Sequence, residues 1–234
     1  MNVHEPQMIE IPAGRLVMGL PACPEEAGSV RRWHSGEEMH IREFKLGRFA
    51  VTNAEYKAFI RATGAAAPSH IGRAGFDADE QPVGAVSWED AVAYCQWLGK
   101  ATGKKYRLPT DGEWEYAARG GQAGKKYSTG DRLDAKDACF GGAPAPKPVG
   151  SFPPNGFGLY DMTGNIWQWC ADRYEDVSKG IKATNKPTGK DPANNRVLRG
   201  GSYLTTNDLN LWVAYRHEDP PDLRHECIGF RVAI

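Results

Sequence analysis

Apolar and polar positions change period several times along this chain. Residues 8–18 alternate loosely around Ile9, Ile11, Leu16 and Met18, which predicts a first strand. Residues 41–49 place Ile, Phe, Leu and Phe at every second or third position and predict another. Three stretches shift to helical spacing, each behind the same signal. Thr52-Asn-Ala-Glu55, Ser87-Trp-Glu-Asp90 and Thr110-Asp-Gly-Glu113 are capping boxes. In each, the hydroxyl accepts from an orphan N–H of the first turn, and the acidic residue three places on answers back. The helices run through Phe59 and Ile60 to Gly64, through Cys95 and Leu98 to Gly99, and through Trp114 and Tyr116 to Gly120. Beyond Gly120 regular periodicity thins. Five prolines in 141–154 and a polar, lysine-rich run over 178–195 read as surface loops, as does 21–36. Residues 228–234 predict a closing strand.

Composition narrows the picture. The chain has 234 residues, 27 glycines and 16 prolines, which suits a loop-rich α+β fold more than a bundle or a doubly wound sheet. No repeat or linker divides it, so a single domain over 1–234 is expected. Lysine plus arginine equals aspartate plus glutamate at 29 each, leaving no electrostatic case for nucleic acid or an anionic membrane as partner. No apolar run reaches the ~20 residues of a membrane span. The start lacks a signal-peptide pattern, which points to the cytoplasm, or to the periplasm if a leader has been removed. The five cysteines (Cys23, Cys95, Cys139, Cys170, Cys227) form no CxxC pair and read as buried thiols.

A series of motifs then falls in one order: Ile11-Pro-Ala-Gly14, Val51-Thr-Asn-Ala-Glu-Tyr56, Val86-Ser-Trp-Glu-Asp-Ala91, Tyr106-Arg-Leu-Pro-Thr110, Glu113-Trp-Glu-Tyr-Ala-Ala-Arg-Gly-Gly121, Asn155-Gly-Phe-Gly-Leu-Tyr-Asp161, Gly164-Asn-Ile-Trp-Gln-Trp169, Arg199-Gly-Gly-Ser-Tyr203 and Gly229-Phe-Arg231. Over nearly its whole length the chain resembles the formylglycine-generating-enzyme (sulfatase-modifying-factor) family. The resemblance implies that family's C-type-lectin-like fold, low in regular secondary structure. It does not by itself imply one function, because enzymes and binding proteins share the scaffold.

The resemblance places copper thiolates just after Gly-Gly-Ser-Tyr and five residues on, at Thr205 and Asn210 here. Residues 204–213 contain no cysteine. Copper(I) prefers soft thiolates, so copper-dependent formylglycine generation is not expected. Trp167 and Ser202 match the family's oxygen pocket; their alternative reading is plain scaffold, as for Arg231. The resemblance also implies a structural calcium held by the side chains of Asp161 and Gln168 and the carbonyls of Gly164 and Ile166. A second family calcium loop looks shortened around 139–147.

Residues 216–227 pack two histidines, four carboxylates, two arginines and a thiol into twelve positions. His217 and Glu218 are the candidates for acid–base work there, with Arg216 as a charged orienting group. Asp222 and Arg224 read as scaffold. Any catalytic metal is unidentified. His34 and His40 flank an acidic pair and carry a weaker signal.

These residues support two readings of different class. One is an oxygen-dependent oxidase or maturation factor acting on a peptide or small molecule, like the family's pyoverdine-maturation branch. The other is a ligand-binding protein in which Tyr203, Thr205, Asn210, Trp212, Tyr215 and Arg216 form the contact surface, in the manner of retroelement-diversified members. Trp212, Glu218 and Glu226 are hard to reach by adenine-directed change of Asn codons, which argues against diversification. An accessory subunit completing another chain's site is the third possibility. The sequence leaves substrate and oligomeric state open.

Overall fold

The computed structural model describes residues 4–19, 38–174 and 194–234. The loops expected at 21–36 and across most of 178–195, with His34 and Cys23, lie outside the described residues.

Each of the first two predicted strands is two strands. β1 (Met8–Ile11) and β2 (Gly14–Val17) are separated at Pro12, and β3 (Glu38–Ile41) and β4 (Phe44–Gly47) at Arg42 and Glu43. β1 pairs antiparallel with β4, and β2 with β3. Proline has no N–H to give a ladder, so Pro12 marks the point where the chain changes partner. The alternating positions Ile11, Leu16, Ile41, Phe44 and Leu46 are buried together.

The capping boxes form as the sequence requires. α1 (Asn53–Thr63) is capped by Thr52 with Glu55 answering, and it ends on Gly64 in the left-handed conformation. α2 (Trp88–Thr102) is capped by Ser87 with Asp90. It runs past the expected stop at Gly99 and ends on left-handed Gly103. Gly99 is needed for space instead, since a β-carbon there would meet the Lys104 carbonyl at 2.8 Å. α3 (Asp111–Ala118) is capped by Thr110 with Glu113. Each box is worth roughly 1 kcal/mol.

The second half holds strands that periodicity does not reveal. β5 (Trp167–Arg173), β6 (Arg196–Arg199), β7 (His217–Asp219) and β8 (Ile228–Phe230) form one sheet in the order β7-β6-β5-β8. β5 and β8 run parallel, with Trp167 opposite Ile228; the other pairs are antiparallel. The final strand stops at Phe230, and Ala233 continues only as isolated bridges to Leu46 and Arg107. Residues 141–154 form no helix or strand, as their prolines dictate.

Two apolar clusters flank this sheet. One joins α1 and α2 to Trp169, Leu198 and Phe230; the other joins β1–β4 and α3 to Cys170 and Val197. Between them runs a buried ionic chain. Arg199 Nε donates to Asp111 Oδ1 (2.5 Å) and its Nη2 to Glu115 Oε2 (2.9 Å). Arg216 Nε donates to Asp111 Oδ2 (2.7 Å), and Arg119 Nη2 to Glu115 Oε1 (2.6 Å). Burial alone would raise the Asp111 carboxyl, but the Arg199 and Arg216 charges outweigh it and hold it low.

Candidate functional site

The β6–β7 pairing decides which residues of the 216–227 segment meet. Trp167 begins β5, and β6 separates β5 from β7. On β7, His217 and Asp219 share one face and Glu218 takes the other. The His217 ring lies 5.3 Å from that of Trp167, and Tyr215 is 5.9 Å from Trp167 and 6.3 Å from His217. These three rings form an aromatic cluster whose outer members are half-buried, with Trp167 just beneath the surface. His217 Nε2 sits 3.3 Å from Asp219 Oδ2, so an imidazole paired with a carboxylate edges the cluster. An imidazole held by a carboxylate beside aromatic walls can accept or donate a proton to a bound planar or peptide-sized molecule.

Several expected members point elsewhere. Glu218 accepts from Asn195 Nδ2 on the opposite face (3.2 Å), so it does not join His217. Arg216 is buried in the ionic chain with Asp111, its guanidinium 4.8 Å from the Tyr174 ring centre. It braces the scaffold and cannot also orient a ligand. Tyr203 and Trp212 are buried, so neither lies on a contact surface. Trp212 Nε1 donates to Asp208, and its ring packs with Tyr127, Leu211 and Ala214 in a separate small cluster. Trp212 caps a one-turn 3-10 helix, Asp208–Leu211, and its indole is turned inward. Arg231 is also fully buried and donates to Gln168, Gly47 and Tyr160.

Ser202 and Thr205 close a tight turn. Thr205 Oγ1 accepts from the Ser202 N–H (3.0 Å) and lies 3.4 Å from Ser202 Oγ, while Ser202 Oγ accepts from the Leu204 N–H. Asn210 donates its N–H to Asn207 O, and its own carbonyl would lie 3.1 Å from a β-carbon at Gly201. Thr205 and Asn210 therefore offer a hydroxyl used in a turn and a half-buried amide where the resemblance places thiolates.

The 161–168 loop is held by three left-handed residues, Asp161, Gly164 and Asn165. Asn165 clasps the backbone of Lys147 from both its amide atoms. Gln168 Oε1 accepts from Trp114 Nε1 (2.7 Å) and Arg231 Nε (2.6 Å). Both partners can only donate, so the amide oxygen faces them. Its Nε2 then donates to the Asp161 carbonyl (2.9 Å) and faces the Ile166 carbonyl at 3.5 Å. Gln168 thus directs N–H groups, not an oxygen, toward the backbone carbonyls of the loop, and the ligand role expected of it does not fit. Asp161 differs. Its Oδ2 accepts from the Gly150 N–H, but Oδ1 is buried without a hydrogen-bond partner. Burial pushes this carboxyl up against the opposing Gly150 N–H and Arg231 charge. A buried carboxylate oxygen with no partner suits a cation, together with the Gly164 and Ile166 carbonyls. Among the described residues no three His, Cys, Asp or Glu side chains converge as a metal cluster.

Two groups beside the site were not singled out by sequence reasoning. Cys227 immediately precedes β8, and its carbonyl accepts from the Trp167 N–H (2.9 Å). The His225 Nδ1 is 3.0 Å from its sulfur. Asp172, on β5, accepts from the Asp111 N–H; burial and the Asp111 charge push its carboxyl up to about 7. The charged density of 216–227 contained His225 and Cys227, but nothing in their spacing marks them as a pair.

Comparison with known proteins gives a consistent result. The profile of the sulfatase-modifying factor enzyme 1-like domain matches residues 1–234. A formylglycine-generating enzyme of Streptomyces coelicolor is 34% identical over 96% of this chain and 88% of its own. The mouse protein named inactive C-alpha-formylglycine-generating enzyme 2 is 30% identical over 99% and 87%. PvdO from Pseudomonas aeruginosa superposes with a TM-score of 0.80 at 31% identity, covering 97% of this chain and 94% of that one. The α+β, C-type-lectin-like architecture expected from the motifs is the one present.

Proposed function

The chain belongs to the sulfatase-modifying factor enzyme 1-like family, and from that membership we propose that it is an oxygen-dependent oxidase or maturation factor acting on a peptide or small molecule. The observation that carries this reading is the Trp167–Tyr215–His217 ring cluster with Asp219 behind the imidazole. In this role Trp167 and Tyr215 bind and orient the flat part of the substrate. His217 takes a proton from the carbon or heteroatom being oxidised, and Asp219 fixes the ring and balances the charge it gains. Dioxygen accepts the two electrons of the substrate and, with the proton relayed from His217 and a second from the substrate, leaves as hydrogen peroxide. Any metal that assists it is left unassigned, because no soft-ligand set equivalent to two thiolates exists at 205 and 210.

The binding-protein reading loses support from burial. Two of its three aromatic contacts, Tyr203 and Trp212, are inside the molecule. The likeness to both active and inactive formylglycine-generating enzymes means that family membership alone does not supply that activity.

The test is oxygen consumption. Purified protein is presented with fractionated peptides and metabolites of its source, and dioxygen uptake is followed in an electrode. A fraction that drives uptake, and loses it with His217→Ala, supports an oxidase. Fractions that bind without uptake would replace the reading with a binding module.

For structural calcium, we propose a single ion on Asp161 Oδ1 and the Gly164 and Ile166 carbonyls. Bound there it would satisfy the one Asp161 oxygen that lacks a hydrogen-bond partner and tie the loop that precedes Trp167. Gln168 acts behind it, as a brace between Trp114 and Arg231.

A further inference from the structure

A cavity of about 470 Å³ opens between β2, the first residue of β3 and the loop that follows α3. It shares no lining residue with the aromatic cluster, and its volume falls within the range of small-molecule sites. One wall is apolar, made by Leu16, Val17 and the half-buried Tyr116. Val17 is 40% exposed, which is unusual here, since only Leu204 among the other described large apolar side chains is also exposed. The rim is the Arg15–Glu38 pair, 3.1 Å apart, with both side chains largely in solvent.

The remaining lining holds donors that the chain leaves underused. The Arg119 side chain is only 6% exposed. Its Nε and Nη2 go to Glu115 and the Gly19 carbonyl, but Nη1 has only the Lys125 carbonyl, at 3.5 Å. Gly121 and Gly124 are left-handed, and the N–H groups of Gly121, Ala123 and Gly124 meet no acceptor among the described residues. The Tyr116 hydroxyl, packed on Gly14 where no β-carbon would fit, makes no hydrogen bond there either. The negative end of α3 does not offset these donors, because the Ala117 and Ala118 carbonyls already accept from Asn155 Nδ2. Arg119 also ends the buried ionic chain, in which three guanidiniums (Arg119, Arg199, Arg216) face two carboxylates (Asp111, Glu115). Asp172, at the far end of that chain, is pushed up to about 7, so below neutral pH the chain keeps an excess of positive charge.

We propose that this cavity binds a small organic acid, with its carboxylate on Arg119, Arg15 and the N–H groups of the 121–124 loop and its apolar part on Leu16, Val17 and Tyr116. Each part of the lining selects for that chemistry. Hydrogen bonds from guanidinium and backbone N–H to a carboxylate are charge-assisted and stronger than those to a neutral oxygen. Glu38, the one carboxylate of the rim, is engaged by Arg15, so a cation gains little there while an anion can share the Arg15 guanidinium. The apolar wall excludes a bare inorganic anion as the best ligand, because covering Val17 and the Tyr116 ring adds the hydrophobic share of the affinity.

The experiment reads binding alone and so is independent of the proposed oxidase activity. The full chain, labelled with nitrogen-15, is titrated near pH 6 with 3-phenylpropionate and, separately, with its uncharged amide, and backbone amide shifts are followed by NMR. Saturable binding of the acid at about 1 mM or tighter is expected, with the largest shifts at Gly121, Ala123 and Gly124. The amide should bind at least about tenfold more weakly, since hydrogen bonds to a charged group are worth about 1.5–3 kcal/mol against about 1 for neutral ones. Arg15→Gln, at an exposed position, should weaken the acid by about two- to fivefold. Val17→Trp fills the cavity from an exposed strand position and should abolish binding while melting normally; Ala123→Trp, from the exposed loop, is a second block should the first disturb β2. No saturation by about 10 mM, equal affinity for acid and amide, or binding untouched by both tryptophan variants would overturn the proposal.

Discussion

Replacing Arg199 by Met should be the most damaging single change in the ionic chain. The side chain is fully buried and makes four hydrogen bonds. Two go to the carboxylates of Asp111 and Glu115, and two to the carbonyls of Val213 (2.9 Å) and Tyr215 (3.0 Å). Methionine fills much of the volume but replaces none of these. Breaking a buried ion pair from one side costs about 3–5 kcal/mol. Each carboxylate keeps one arginine, Arg216 or Arg119, which limits that cost to its lower range. The two carbonyls add about 1–3 kcal/mol each if left dry. A loss of at least about 5 kcal/mol follows, a large share of the 5–15 typical of a whole domain. At about 2–4 °C per kcal/mol for a chain this size, the melting temperature should fall by at least about 10 °C. Urea denaturation followed by tryptophan fluorescence measures it directly. A loss under about 1 kcal/mol would refute the view that Arg199 clamps the Tyr215 segment to α3.

Asp172 should make stability fall with rising pH. Its folded carboxyl titrates near 7, against about 3.9 in an unfolded chain. Between those values the folded state keeps a proton the unfolded state has released. Its contribution is thus full below about pH 4 and is lost as pH rises to about 7. Asp172→Asn keeps the oxygen that accepts from the Asp111 N–H, so its stability relative to wild type should improve from pH 5 to pH 8; no change in that difference would contradict the assignment. Calcium should raise the melting temperature and chelator lower it, by linkage, and Asp161→Ala should abolish the response. Melting that ignores both additions would mean a metal-free loop. A sulfatase-type Cys-x-Pro-x-Arg peptide incubated with copper, oxygen and the protein should keep its thiol mass, because Thr205 and Asn210 stand where thiolates would be needed; turnover would reverse that reading.

The sequence disclosed those features whose causes are local. A capping box is written in four residues, and all three formed with their predicted partners. The left-handed stop at Gly64 was equally legible. Gly99 misled because a glycine ending a helix and one admitting a neighbouring carbonyl look alike in sequence. The β5 strand was hidden because Trp167, Gln168, Trp169 and Cys170 are all buried, so no alternation survives. The same limit applies at the site. Proximity of His217 to Trp167 depends on β7 pairing with β6, a long-range register that spacing does not encode. Arg216 and Glu218, flanking His217, looked equally available, yet strand alternation and the Asp111 carboxylate take both away. Gln168 could be read as a ligand until two donor-only partners, Trp114 and Arg231, fixed which way its amide faces.

The central claim is that chemistry occurs at the Trp167–Tyr215–His217 cluster, and His217→Ala tests it most directly. Among the described residues the half-exposed His217 side chain pairs with neighbouring Asp219 and the two rings, so the variant should unfold within a degree or two of wild type. Once an oxygen-consuming fraction is in hand, its turnover should fall by about 10²–10⁴ if His217 is the base. Tyr215→Leu should chiefly weaken binding. Normal melting with lost turnover is expected; a His217→Ala protein that melts normally and consumes oxygen at the wild-type rate would remove His217 from the chemistry.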